Sequence, residues 1–139
     1  MGSDISHPKV VVTFGTFDLF HVGHLRLLAR AKDLGGFDTR LVVGVSSDSL
    51  NVRKKNKSPV YGQDDRLKII SALRCVDHVF LEESLELKAN YLEMEKADVL
   101  VMGDDWRGKF DHFSSICKVV YLSRTPGIST TETLDRIRK

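Results

Sequence analysis

The chain has 139 residues, and its 42% hydrophobic content is enough for one buried core, so we expect a single domain. Its 21 basic and 19 acidic residues nearly cancel, which argues against a general nucleic-acid binder. The two cysteines, Cys75 and Cys117, lack CxxC spacing and are typical of reduced thiols. No apolar run reaches the roughly 20 residues of a membrane span, and no signal-peptide core is found. We therefore expect a cytoplasmic protein with no membrane partner, in which a domain over residues 9–139 follows a tail over 1–8 that begins like an expression remnant.

Short apolar segments alternate with segments of helical spacing along the chain. The expected strands are residues 9–14, 40–46, 76–81, 98–102 and 118–122. The expected helices are residues 25–34, 64–74, 84–96 and a last one that begins near Ser129 with a capping box to Glu132. Apolar strands joined by helices belong to a parallel sheet that is covered on both faces. The sequence therefore predicts an α/β fold, a Rossmann-like doubly wound sheet of about five parallel strands with helices on both faces.

Two histidines lie where such a fold binds its ligand. Residues 15–18 leave the carboxyl end of the first strand, and His21 and His24 follow at the mouth of the first helix. A helix N-terminus attracts anions, and Gly15 lets the backbone approach one closely. Because no GxGxxG fingerprint is present, a phosphate ligand other than a dinucleotide is favoured.

The histidine pair permits three interpretations. Its ring N–H groups could stabilise negative charge that builds on a phosphorus centre during a reaction. The pair could instead only pack or cap the helix, which is the common role of an arbitrary HxxH. A metal site is less favoured, since no third ligand beyond Asp18 is evident.

Three longer motifs resemble those of the cytidylyltransferase family within the nucleotidyltransferase superfamily. Residues 15–24, GTFDLFHVGH, resemble the family signature, and residues 124–131, RTPGISTT, resemble its RTxGIST motif. Residues 102–111, MGDDWRGKFD, are similar to the bacterial glycerol-3-phosphate cytidylyltransferase branch. The resemblance implies a homodimeric enzyme that joins CTP to a phosphorylated alcohol such as glycerol 3-phosphate. It also implies release of pyrophosphate. We expect Mg²⁺ to accompany CTP and to take few ligands from the protein, and no residue is assigned to it.

The resemblance also implies roles for individual residues. The implied catalytic residues are His21, His24, Lys54 and Arg124. The implied CTP-binding residues are Gly15, Thr16, Phe17, Lys57, Gly103, Asp104, Trp106, Thr125, Ile128, Ser129, Thr130 and Thr131. The implied acceptor-binding residues are Asp18, Lys54, Lys55 and Lys88. A guanidinium is suited to grip phosphate with two donors, whereas Ser129 could be only a helix cap and Trp106 only a packing residue.

The lysine run leaves its own assignments open. Residues 53–57 hold four cations, and we expect them in a mobile loop over the crevice. Counting from Asp48 favours Lys54 as the acceptor-side lysine, and counting back from Arg66 gives a different register. A charge run of this kind is also typical of a solvated loop.

The acceptor and the wider function class also have alternatives. A phosphocholine enzyme needs aromatic or acidic groups around the ammonium, and these cannot be assembled from the sequence, which favours a polyol phosphate. The long link over residues 35–40 nevertheless resembles the eukaryotic choline-phosphate enzymes. Two further candidates are an adenylyltransferase on the same scaffold and a non-catalytic nucleotide-binding module. Residues 74–77 resemble the family's R-x-V-D stretch near a dimer interface.

Overall fold

The computed structural model describes residues 9–138, so the expected tail lies outside the described residues. Five strands form one sheet in which every pair is parallel, in the order β3-β2-β1-β4-β5. The strands are β1 (Val10–Gly15), β2 (Arg40–Ser46), β3 (His78–Glu82), β4 (Val99–Gly103) and β5 (Lys118–Leu122). The helices are α1 (Val22–Leu34), α2 (Asp48–Lys55), α3 (Gln63–Ser71), α4 (Lys88–Met94) and α5 (Thr130–Arg138). The predicted fold class is confirmed.

The core lies on both faces of the sheet. Residues of β1 alternate between the faces, so that Val11 packs with Leu28 and Ile70 on one face. On the other face Val12 packs with Leu92. Each central strand is thus buried on both sides, which explains why the strands are apolar almost throughout. In contrast, α5 at the end of the chain contributes no buried residue.

Four predicted elements differ from the observed ones. Residues 48–55, expected partly as a loop, form α2, because the Ser47 hydroxyl caps its start and Asn56 ends it in a left-handed conformation at φ 59°. The helix predicted over 84–96 is divided into a 3₁₀ turn, Leu85–Leu87, and α4. The strand predicted from residue 76 begins at His78, and the helix predicted over 64–74 ends at Ser71.

The strand order places the site. The chain runs outward from β1 to β2 and β3, and then crosses back to β4 and β5 on the other side of β1. The order therefore reverses between β1 and β4, and ligands of such sheets bind beyond the carboxyl ends of the strands at that point. Gly15 and Gly103 end these two strands.

Candidate functional site

A cleft of about 480 Å³ opens at this reversal point. Its walls come from the β1–α1 turn, the end of α2 with the segment after it, the end of β4, and the β5–α5 connection. The predicted site residues that line it are Gly15, Thr16, Phe17, Asp18, His21, His24, Lys55, Lys57, Gly103, Trp106, Arg124, Thr125, Ile128, Ser129, Thr130 and Thr131. Three predicted residues, Lys54, Lys88 and Asp104, do not line it. Most of the predicted site residues therefore lie at the cleft.

The turn after β1 has an unusual backbone. Phe17 and Leu19 both have positive φ, 55° and 48°, which is rare for residues other than glycine. The Phe17 ring folds back beneath Gly15, where an added Cβ would lie 2.8 Å from Cε2 of Phe17. A side chain at position 15 would therefore collide with the Phe17 ring, so the packing of this turn favours glycine whether or not a ligand approaches.

The two histidines cap α1 reciprocally. Nδ1 of His21 accepts from the Gly23 N–H at 3.0 Å, and Nδ1 of His24 accepts from the His21 N–H at 3.2 Å. The rings are stacked with their centroids 3.7 Å apart. Because each Nδ1 is an acceptor, a neutral ring must carry its proton on Nε2. Helix capping thus uses Nδ1 and leaves Nε2 as a donor, so the capping interpretation does not exclude the catalytic one.

The surroundings keep both rings neutral. Burial lowers the pKa of His24 to about 4, and the neighbouring His21 adds to this effect while Asp18 opposes it. Burial and the nearby Arg124 guanidinium also lower the pKa of His21. Nε2 of His21 is buried and has no hydrogen-bond partner among residues 9–138. A buried N–H without a partner is unfavourable by about 1–3 kcal/mol, so this donor would gain from an anionic oxygen.

The connection after β5 supplies the opposite wall. Arg124 is exposed and lies 3.3 Å from a carboxylate oxygen of Asp105, which lines the cleft. The Ser129 hydroxyl accepts from the Glu132 N–H at 3.0 Å, which is the predicted cap of the last helix. The Thr130 hydroxyl donates to the Asp18 carbonyl at 2.9 Å and so joins this wall to the β1–α1 turn.

The two aspartates of the loop after β4 differ in position, and a nucleotide contact of Asp104 stays a prediction. Asp104 accepts a hydrogen bond from Nε of Arg107 at 2.8 Å and does not line the cleft. The 3₁₀ turn Asp104–Trp106 instead places Asp105 and Trp106 at the cleft. The Trp106 ring also packs against Phe110 at 5.6 Å, so its packing role is real.

The lysines fall into two groups. Lys55 and Lys57 line the cleft, and Nζ of Lys55 lies 3.4 Å from the Thr16 hydroxyl. Lys54 lies outside it, where burial and the Lys55 charge lower its pKa to about 8.

The predicted acceptor lysine on α4 is buried, contrary to the usual exposure of a helix lysine. Lys88 is 4% exposed, and its ammonium lies 2.6 Å from Glu82 and 3.7 Å from the Phe14 ring centroid. Burial lowers its pKa, and the Glu82 carboxylate opposes that shift. Direct contact with an acceptor stays a prediction for this residue.

The predicted acceptor contact Asp18 is also engaged inside the protein. Its carboxylate is bonded to the backbone N–H groups of Leu19, Val60 and Tyr61. The side chain therefore holds backbone segments together in this structure.

Two polar residues that shape the cleft were missed as site residues. Arg66 is fully buried and donates to the carbonyls of Tyr61, Thr16 and Ser46. Asn51 is buried and accepts from the Thr16 hydroxyl at 2.8 Å. A signal existed for Arg66, because it shares a helix face with the core residue Ile70 four positions later.

Within residues 9–138, no helix combines the length and apolar character needed to cross a membrane. The same residues contain no group of three His, Cys, Asp or Glu side chains suited to a metal ion.

Comparison with known proteins finds similarity to one family over most of the chain. Residues 12–136 match the family described as cytidylyltransferase-like. The chain is 46% identical over 129 residues to a glycerol-3-phosphate cytidylyltransferase of Bacillus subtilis, covering 93% of this chain and 97% of the relative. It is 45% identical to the protein of the same name from Bacillus spizizenii, over 89% and 93% of the two chains. The crystal structure of a lipopolysaccharide core biosynthesis protein from Thermoplasma volcanium is 30% identical with a TM-score of 0.73, over 84% of this chain and 98% of that one.

Proposed function

This chain belongs to the cytidylyltransferase-like family, and we propose that it transfers CMP from CTP to glycerol 3-phosphate, giving CDP-glycerol and pyrophosphate. The observation that carries the proposal is the stacked histidine pair at the cleft. It caps α1 through its Nδ1 atoms, so its neutral rings carry their protons on Nε2. The two Bacillus relatives named glycerol-3-phosphate cytidylyltransferase match the chain over nearly its whole length, which supports the choice of acceptor.

The reaction requires no nucleophilic side chain of the enzyme. An oxygen of the acceptor phosphate attacks the α-phosphorus of CTP, the bond to the β-phosphate oxygen breaks, and pyrophosphate leaves opposite the attacking group. Negative charge spreads over the phosphoryl oxygens as this happens. His21 and His24 donate hydrogen bonds to those oxygens, and because their rings are neutral they do so without losing a proton.

The remaining walls hold the substrates. We assign Arg124, Thr125 and the residues 128–131 to the CTP phosphates, since a guanidinium and a helix start both favour anions. Residues 15–17 lie against the nucleotide, while Gly103 and Trp106 face its base and ribose. We add Asp105, which lines the cleft, to these nucleotide-binding residues.

The lysines balance the charge of two phosphorylated substrates. Lys55 and Lys57 reach the phosphates from the cleft wall, with Lys57 on the nucleotide side. Lys54 faces the acceptor phosphate from outside the cleft lining. Lys88 uses one of its three N–H donors on Glu82, and the others remain for the acceptor.

The oxygen atoms available at the cleft suit a Mg²⁺ ion that would enter with CTP. Mg²⁺ prefers oxygen ligands, usually phosphates and water with one or two carboxylates, and Asp105 is the exposed carboxylate at the cleft. The ion would neutralise phosphate charge, while Lys55, Lys57 and Arg124 hold the same phosphates. We further propose that the enzyme is a cytoplasmic homodimer.

Pyrophosphate release tests the function. The assay contains CTP, Mg²⁺ and sn-glycerol 3-phosphate, with phosphocholine and other polyol phosphates as parallel acceptors and ATP as the control nucleotide. We expect release with CTP and glycerol 3-phosphate, and little with ATP. Release with another acceptor would replace the substrate but keep the chemistry, release with ATP would indicate an adenylyltransferase, and CTP binding without release would indicate a binding module.

A further inference from the structure

One wall of the cleft is a segment without regular secondary structure. Residues 57–60 belong to the connection between α2 and α3, and all four line the cleft. We call these four residues the lysine strap, because Lys57 is their charged member. Helices and strands fix their own backbones through internal hydrogen bonds, but the strap needs partners elsewhere.

The Asp18 carboxylate holds the strap at Val60, its last residue, and also holds Tyr61, the residue that follows. Its Oδ2 accepts from the Val60 N–H at 2.6 Å, and its Oδ1 accepts from the Tyr61 N–H at 2.9 Å. The side chain is also bonded to the Leu19 N–H at 3.1 Å. Asp18 is 9% exposed and has no ion-pair partner among residues 9–138, so backbone amides satisfy its charge.

The backbone next to the strap is also held by Arg66. The Tyr61 carbonyl accepts from Nε of the buried Arg66 at 2.9 Å, so both peptide groups of this residue are held. The Asp18 carbonyl accepts from the Thr130 hydroxyl. One residue thus joins the histidine turn, the strap and the start of α5.

We propose that Asp18 is a positioning residue that fixes the lysine strap, and with it Lys57, over the cleft. This proposal deepens the proposed function and rests on it for its kinetic part. Three of the roughly four lone-pair directions of the carboxylate are occupied by backbone N–H groups. Asp18 therefore acts through Lys57 and does not need to contact the acceptor.

Amide hydrogen exchange on the substrate-free protein gives the first test, with Asp18→Asn as the variant. Asparagine keeps the size of the side chain, but its NH₂ group faces an N–H that needs an acceptor. We expect exchange of the Val60 and Tyr61 amides to become at least about tenfold faster while α1 and α3 exchange as before. Asp105→Asn is the matched control, because that cleft carboxylate is bonded to no backbone amide in residues 9–138. Unchanged exchange at Val60 and Tyr61 in Asp18→Asn would overturn the proposal.

A second variant approaches the same contact from the strap. Val60→Pro removes the N–H that bonds to Asp18 at 2.6 Å, and the Val60 side chain is 56% exposed, so the core is untouched. We expect faster exchange of the Tyr61 amide here too. This variant keeps the test decisive if Asp18→Asn does not fold.

A double-mutant cycle separates positioning from direct contact. We expect Asp18→Asn to lower kcat and raise KM for CTP, about tenfold together in kcat/KM, with little change in KM for the acceptor. In a Lys57→Ala background the same substitution should change kcat/KM less than about twofold, because its effect passes through Lys57. An undiminished loss in that background, or a rise confined to the acceptor KM, would overturn the proposal. If the wild-type protein does not turn over CTP, the proposed function is refuted. The hydrogen-exchange experiment would still test the attachment of the strap, because it uses no substrate.

Discussion

The two sides of the cleft are built in different ways. His21 and His24 are held by backbone groups within three residues of themselves, in the first turn of α1. The lysine side is held across the chain, because Lys55 reaches Thr16, 39 residues away, and Val60 reaches Asp18, 42 residues away. The first side is therefore fixed wherever its helix forms, and the second only after the sheet has assembled. The proposed hydrogen-bond donors are therefore held by local contacts, whereas the cations depend on tertiary contacts.

The largest expected effect lies beneath the lysine side, in the buried Lys88–Glu82 pair. Lys88→Met should lower the free energy of unfolding by about 3–5 kcal/mol, since it leaves Glu82 charged and buried without a partner. Urea unfolding measures this loss, and Glu82→Gln in the same chain should restore much of it. Arg124→Met, which breaks an exposed pair with Asp105, should change the same quantity by less than about 1 kcal/mol. Equal losses in the two single variants would contradict the distinction between buried and exposed pairs.

On the histidine side, the next largest effect should appear in turnover and not in stability. His21→Asn keeps an N-cap side chain but removes Nε2–H, so kcat should fall by about 10²–10³ while urea unfolding changes little. Arg26→Ala, on the same helix but outside the cleft lining, is the matched control. Near-normal kcat in His21→Asn would remove the histidine from the proposed reaction.

The pH dependence of activity should also divide the two sides. His24, with a pKa of about 4, stays neutral throughout the usual assay range. Lys54, with a pKa of about 8, loses its proton as the pH rises through that value, and kcat/KM should fall with it. Lys54→Arg keeps its charge and should flatten this alkaline limb. A limb that persists unchanged in Lys54→Arg would assign the titration to another group.

The smallest expected effect concerns an arginine at the far end of α5. Arg138 lines the cleft with Leu134 and Thr131 on one helix face, whereas Arg136 does not. Because helical side chains lean toward the N-terminus, we expect its guanidinium to extend toward residues 129–131, which we propose bind phosphate. Arg138→Ala should raise KM for CTP about two- to fivefold, and Arg136→Ala should leave it unchanged. Equal effects would indicate a general charge contribution.

The same contrast explains what could be predicted from sequence. The sheet was predictable because β1 and its neighbours are apolar on both faces, and the histidine turn because its contacts lie within one short motif. The length of α2 was not predictable. The Ser47 cap and the left-handed Asn56 set its ends, and both depend on backbone conformation. The burial of Lys88 and the engagement of Asp18 depend on partners 6 and 42 residues away, Glu82 and Val60. The periodicity of one segment carries no information about such partners.

The absence of buried residues in α5 has a thermodynamic consequence. Nine residues without a buried face form a marginal helix on their own, and the Thr130 hydroxyl is its attachment to the histidine turn. A nucleotide that bridges residues 129–131 and the histidines binds the formed helix and not the frayed one. Its binding free energy therefore becomes folding free energy for the end of the chain. The fraction of molecules with an ordered α5 should then rise with nucleotide concentration, because binding and formation of this helix are coupled.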